Sequence, residues 1–140
     1  MQVRLPLNRH IATIIAIAVT QAVYCENLVP QNAGEKMRYD TMIEMQKAYV
    51  SGICVMARDN GCINGSIFNE FGISALDFRY DTRKEKVRIV DINKMMNKWR
   101  IKNVMKKDLK QVIKNLEKGN ETYENKKYKI KYEFNKENDQ

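Results

Sequence analysis

The sequence predicts an α+β domain: a curved antiparallel β-meander of about five strands packed on one main amphipathic helix. Three observations carry this prediction. Apolar and polar residues alternate through much of residues 49–92, and an Asn60-Gly61 pair sits between two extended runs. After Asp91 the apolar spacing lengthens to about 3.6 residues. Strands followed by a helix, rather than strands and helices in turn, is the order of an α+β fold.

From residue 42 to residue 57 the chain is rich in β-branched, aromatic and methionine side chains. Tyr49, Ser51, Ile53 and Val55 alternate with Val50, Gly52, Cys54 and Met56. Both sets are fairly apolar, as in a strand that is covered on both faces or curved. Asn-Gly after Arg58-Asp59 predicts a tight hairpin, because the central residues of such a turn must accept positive φ. With Asp59 opposite Cys62, Cys54 falls opposite Ile67. The two thiols then point to opposite faces, so they are expected not to be bonded to each other. Residues 62–69 form the next strand, and Glu70-Phe71-Gly72 the next turn. Residues 73–80 set Leu76, Phe78 and Tyr80 on one face against Asp77 and Arg79 on the other. A charged loop, Asp81-Thr82-Arg83-Lys84-Glu85, leads to a strand over residues 86–92.

Asn93 can cap a short helix carrying Met95, Met96 and Trp99. A longer helix follows, with Ile101, Val104, Met105, Leu109, Val112, Ile113 and Leu116 on one stripe and Gly119 as a left-handed cap. Its other face carries Lys102, Lys106, Lys107, Lys110, Lys114 and Lys118. Tyr128, Ile130, Tyr132 and Phe134 then alternate with Lys127, Lys129, Lys131 and Glu133 in a last strand at an edge, where outward lysines discourage aggregation.

The amino terminus reads as an export signal. Arg4 and Arg9 precede the apolar run from Ile11 to Val19, which is too short to cross a bilayer stably, and Thr20 and Ala22 are the small residues that cleavage needs. The expected organisation is a signal over residues 1–24, a polar tether over 25–36, one domain over 37–136 and a flexible tail over 137–140. Cys25 stands where a bacterial lipoprotein carries the thiol that receives a diacylglycerol, and it is the candidate lipid-attachment residue. Cleavage after Ala22, leaving Cys25 near a free amino terminus, is the alternative.

The formal charge of +8 is unevenly spread. Residues 25–82 carry five basic and eight acidic side chains, and residues 83–132 carry seventeen and six. A basic half attracts anionic headgroups or an acidic partner, although a lysine-rich solvated helix accounts for most of it, and export argues against nucleic acid. The single histidine, His10, lies in the signal, which leaves the mature chain without an imidazole for a metal or a triad. Cys25, Cys54 and Cys62 have no metal-ligand spacing, so no metal or cofactor is expected. Glu70, Asp77 and Asp81 are the clustered carboxylates, and a hydrolase would need two of them to face each other across a cleft. Trp99 and the tyrosines are candidates to line a ligand groove.

Ser51-Gly52-Ile53, the run from Ile67 through Asn69-Glu70-Phe71-Gly72 to Leu76-Asp77-Phe78, Lys98-Trp99 and Lys106-Lys107-Asp108-Leu109 resemble small exported proteins of Bacteroides-type bacteria, many looking like lipoproteins. The resemblance covers most of the mature region and implies location and fold; it carries no catalytic residues. The order of elements is also similar to the lipoprotein-localisation proteins of the periplasm and outer membrane, whose curved sheet wraps helices around an acyl-binding cavity. The expectation is therefore a non-enzymatic envelope protein, a lipoprotein held to the membrane by its lipid, that binds an apolar ligand, a lipid or another envelope protein. The alternatives are a soluble secreted module docking through its basic helix face and, more remotely, a carboxylate-dependent hydrolase.

Overall fold

The computed structural model describes residues 26–94 and 97–138, except for the side chain of Trp99. The expected signal, Cys25, Met95 and Met96 lie outside the described residues, as does the end of the expected tail. Seven antiparallel strands form one curled sheet: β1 (Lys36–Glu44), β2 (Tyr49–Asp59), β3 (Cys62–Phe68), β4 (Ser74–Asp81), β5 (Lys86–Ile92), β6 (Thr122–Asn125) and β7 (Ile130–Lys136). Helix α1 (Trp99–Glu117) joins β5 to β6, and the order across the sheet is β5-β4-β3-β2-β1-β7-β6.

The α+β meander on one main helix is therefore the fold, with seven strands instead of about five. The apolar run that begins at Met42 is two strands, divided where the Met45 N–H donates to the Ala48 carbonyl at 2.8 Å. In β1, Tyr39, Thr41 and Ile43 are buried while Lys36, Arg38, Asp40, Met42 and Glu44 are exposed, the alternation of a half-covered strand. β6 is four residues long, too short for periodicity to reveal it, and because it pairs with β7 the strand expected at an edge lies inside the sheet, between β1 and β6.

The hairpin at Asn60-Gly61 has the expected register, Asp59 opposite Cys62 and Cys54 opposite Ile67. Of its two central residues, only Asn60 takes positive φ, at 53°. Cys54 is buried and Cys62 half-buried on the other face, and both thiols are free. Burial pushes the Cys54 thiol well up from its ordinary range.

α1 packs chiefly against β5 and β6, the two rims of the sheet, and so bridges a surface curled far enough for both to reach one helix. Met105, Leu109, Val112, Ile113 and Leu116 fill the concave side with Tyr39, Met56, Phe78, Tyr132 and Phe134. The helix ends as expected. Gly119 (φ 81°) donates to the Leu116 carbonyl and Asn120 to the Asn115 carbonyl, a Schellman motif. At its start Lys98 holds the N-cap without a side-chain bond, and most of the short helix expected after Asn93 lies outside the described residues. Lys114 reaches Glu85 at 3.0 Å and ties the basic face to the β4–β5 loop.

The expected tether is corrected at residues 28–30. Leu28, Val29 and Pro30 are buried, the Leu28 N–H donates to the Leu116 carbonyl at 2.9 Å, and the Tyr39 hydroxyl donates to the Leu28 carbonyl at 2.6 Å. Burial of two such aliphatic side chains stabilises by about 1.5–3 kcal/mol each, enough to hold a segment whose average composition is polar. Gln31, Asn32 and Glu35 then make a tight turn. Both backbone N–H groups, of Gln31 and Asn32, donate to the Glu35 carboxylate and hold it below its usual range.

Candidate functional site

The carboxylates singled out by sequence do not converge. Glu70 is exposed in the β3–β4 turn, while Asp81, at the far end of β4, accepts the N–H groups of Arg83 and Lys84, which lower its pKa. Asp77 points away from the core between them and accepts the Ser74 hydroxyl at 2.7 Å. These are turn and surface roles. Among the described residues, no three His, Cys, Asp or Glu side chains gather as a metal site would require.

One carboxylate that the sequence reading passed over is buried. Asp108 is 3 % exposed, although it sits mid-helix beside Leu109. Tyr132 of β7 donates its hydroxyl to Asp108 Oδ2 at 2.7 Å, and the Asn125 amide of β6 donates to Oδ1 at 2.9 Å. Burial raises the Asp108 pKa, and the bonds from Tyr132 and Asn125 pull the other way. The sequence signal was positional, since Asp108 stands midway between Val104 and Val112 on the apolar stripe.

Asp108 is at the floor of an open pocket of about 500 Å³ between α1 and the β6–β7 hairpin, with Arg100, Lys107, Tyr123 and Tyr128 around it. The carboxyl has both oxygens engaged by neutral donors, and neither a thiol nor an imidazole lines the pocket. This geometry pins the helix to the hairpin. A raised folded-state pKa means that the contribution of Asp108 to stability is fully present below its ordinary pKa of 3.8, and is lost as pH climbs through the folded value. Asp108→Asn keeps an acceptor for Tyr132 and removes the titration. Its melting temperature is expected to gain on that of the wild type as pH rises from about 4 to about 7, and parallel melting curves across that range would refute the assignment.

No family model, curated protein or solved structure matches this chain. The site must therefore be read from its own geometry.

The amino-terminal segment and the exposed apolar residues lie at opposite ends of the sheet. Glu26 lies against Gly119 at the end of α1, and Gly34 donates to the Arg58 carbonyl near the β2–β3 turn. At the other end are the β1–β2, β3–β4 and β6–β7 turns. Of the six large apolar or aromatic side chains exposed among the described residues, five lie there: Met42, Tyr49 (71 %), Phe71 (78 %), Ile73 (63 %) and Tyr128. The two ends are separated by the length of β1, eight steps of ~3.3 Å or about 26 Å. Tyr49 and Phe71 share an open groove of about 690 Å³ with Asp40, Ser51, Gly52 and Glu70.

Proposed function

We propose that this protein is a non-enzymatic lipoprotein of the cell envelope, tethered through Cys25, that presents its distal end to another envelope protein. The observation that carries the reading is the clustering of Met42, Tyr49, Phe71, Ile73 and Tyr128 away from the amino-terminal segment. Large apolar side chains left exposed at one end, with Tyr49 and Phe71 sharing a groove, mark an interaction site. Its distance from residue 26 favours a protein above the membrane over the membrane itself. The filled concave face favours an external partner over a lipid carried inside. The packing of Leu28 to Pro30 adds a geometric consequence, because a lipid on Cys25 would leave only Glu26 and Asn27 as exposed spacer and hold the domain in one orientation.

Two measurements test this. Metabolic labelling with a fatty acid is expected to mark the wild-type protein and not Cys25→Ala; label retained by the variant, or a mature chain that begins at Val23, refutes the anchor. A photo-crosslinking phenylalanine analogue at Phe71 is expected to capture a protein in native membranes, whereas the same analogue at Arg88, on the outer face of β5, gives none. Equal yields at the two positions refute the distal docking surface.

A further inference from the structure

We propose that residues 49–51 of β2 form a β-strand addition site, which takes an extended segment of the partner protein carrying lysine or arginine among apolar residues. The inference rests on the distal docking surface proposed above and names how that surface is used.

The backbone pairing carries the argument. The Met45 N–H to Ala48 carbonyl bond closes the β1–β2 turn, and hydrogen-bonded pairs alternate from there, so Ile43–Val50 and Thr41–Gly52 exchange bonds. Val50 and Gly52 therefore turn their backbone groups toward β1, and Tyr49 and Ser51 turn theirs to the opposite side. On that side β3 is the neighbour, but its ladder with β2 begins only at Ile53–Phe68. The N–H and C=O groups of Tyr49 and Ser51 thus face no strand among the described residues.

The local chain explains why β3 stops there. An added Cβ on Gly52 would lie 1.9 Å from the Phe68 carbonyl oxygen, so β3 leaves the ladder across a position that only glycine can fill. A shift in the β3–β4 register between Ile67 and Phe68 marks a bulge at Ala75, and bulges bend a strand and end its pairing. The sheet consequently has a notch where its third strand begins at the other end and falls short at this one.

The occupant follows from what the notch offers. Two donor–acceptor pairs, on alternate residues of one edge, are satisfied by another extended backbone and not by a helix face or an acyl chain. Tyr49 and Phe71 supply apolar contact beside it. The charged side chains lining the groove, Asp40 and Glu70, are both acidic in a chain of formal charge +8. This local reversal of sign selects a basic segment.

The test begins with the segment that the Phe71 crosslinker captures from native membranes, identified by mass spectrometry and synthesised. When that peptide binds the full chain, amide exchange at Tyr49 and Ser51 is expected to slow by about tenfold or more, with Val50 unchanged. Replacement of the peptide's lysines and arginines by glutamate is expected to weaken binding by about tenfold or more. Ser51→Pro removes a donor from the open side and leaves the β1 ladder intact, so it is expected to abolish the protection while the melting curve is kept. If Ser51→Pro lowers the melting temperature, the wild-type exchange measurement decides alone. Binding without slowed exchange at residues 49 and 51 overturns strand addition and leaves the docking surface standing. A captured segment that is acidic, or that comes from a second copy of this chain, overturns the assigned partner chemistry. Absence of any Phe71-specific adduct sinks the docking surface itself.

Discussion

Gly52→Ala is expected to destabilise the fold by about 3 kcal/mol or more, and no second-site side-chain change should rescue it. The obstacle is main chain: the Phe68 carbonyl oxygen at 1.9 Å and carbon at 2.8 Å, with Asn69 Cα at 3.2 Å. A methyl group there must push β3 from β2 where their ladder begins, at Ile53–Phe68. The expected signature in urea unfolding is a lower midpoint. Amide exchange should increase first at Ile53 and Phe68, and a midpoint within experimental error of the wild type would refute the packing described here.

Gly65→Ala is expected to cost a similar amount, about 3 kcal/mol, but here rescue should be possible. Gly65 lies on the concave face opposite Phe78, whose Cζ, Cε1 and Cε2 atoms would stand 2.1, 2.5 and 2.6 Å from an added Cβ. The ring fills the space that a side chain on β3 would take, and the sheet curls over it. Phe78→Leu removes those three ring atoms. By itself it should destabilise, because it leaves a cavity in a core where Phe78 is 1 % exposed. Combined with Gly65→Ala it should cost less than the sum of the single changes by about 1 kcal/mol or more, as expected for residues in contact. Additive costs in that double-mutant cycle would mean that the ring does not rest on the glycine. Rescue separates the two glycines physically: a side chain can be shortened, whereas a backbone carbonyl cannot.

The elements legible in the sequence were those whose signal is local. Asn60-Gly61 defined a turn and, through it, the register that separates Cys54 from Cys62. The stripe from Met105 to Leu116 and the cap at Gly119 defined the helix. β1 was hidden because Met42, Ile43 and Met45 continue the apolar character of β2 across the turn, and only the pairing of Ile43 with Val50 reveals a hairpin. The 28–30 segment was hidden for the opposite reason, since two aliphatic residues in a polar stretch give no periodicity. Their burial depends on the end of α1, roughly 90 residues later in the chain, arriving beside them.

The chemistry divides along the same line. In sequence Asp108 shows only its place on the apolar stripe of a lysine-rich helix, and its character comes from Tyr132 and Asn125, which β7 and β6 deliver. The notch at residues 49–51 is likewise invisible in a list of residues, because an unpaired edge is a property of the neighbouring strand.

The sequence by itself determined the helix, the strands from β2 to β5, the Asn60-Gly61 turn and the apolar face of each of these elements, because those properties follow from backbone sterics and from solvation counted over a few adjacent residues. Tertiary structure alone decided that the sheet has seven strands, that its rims meet on one helix, that a carboxyl is buried between that helix and the last hairpin and that most of the exposed large apolar groups lie at the end away from residue 26. Each of these depends on which distant segments come to lie side by side, and the free energy that settles it, burial shared between elements, belongs to no single stretch of chain.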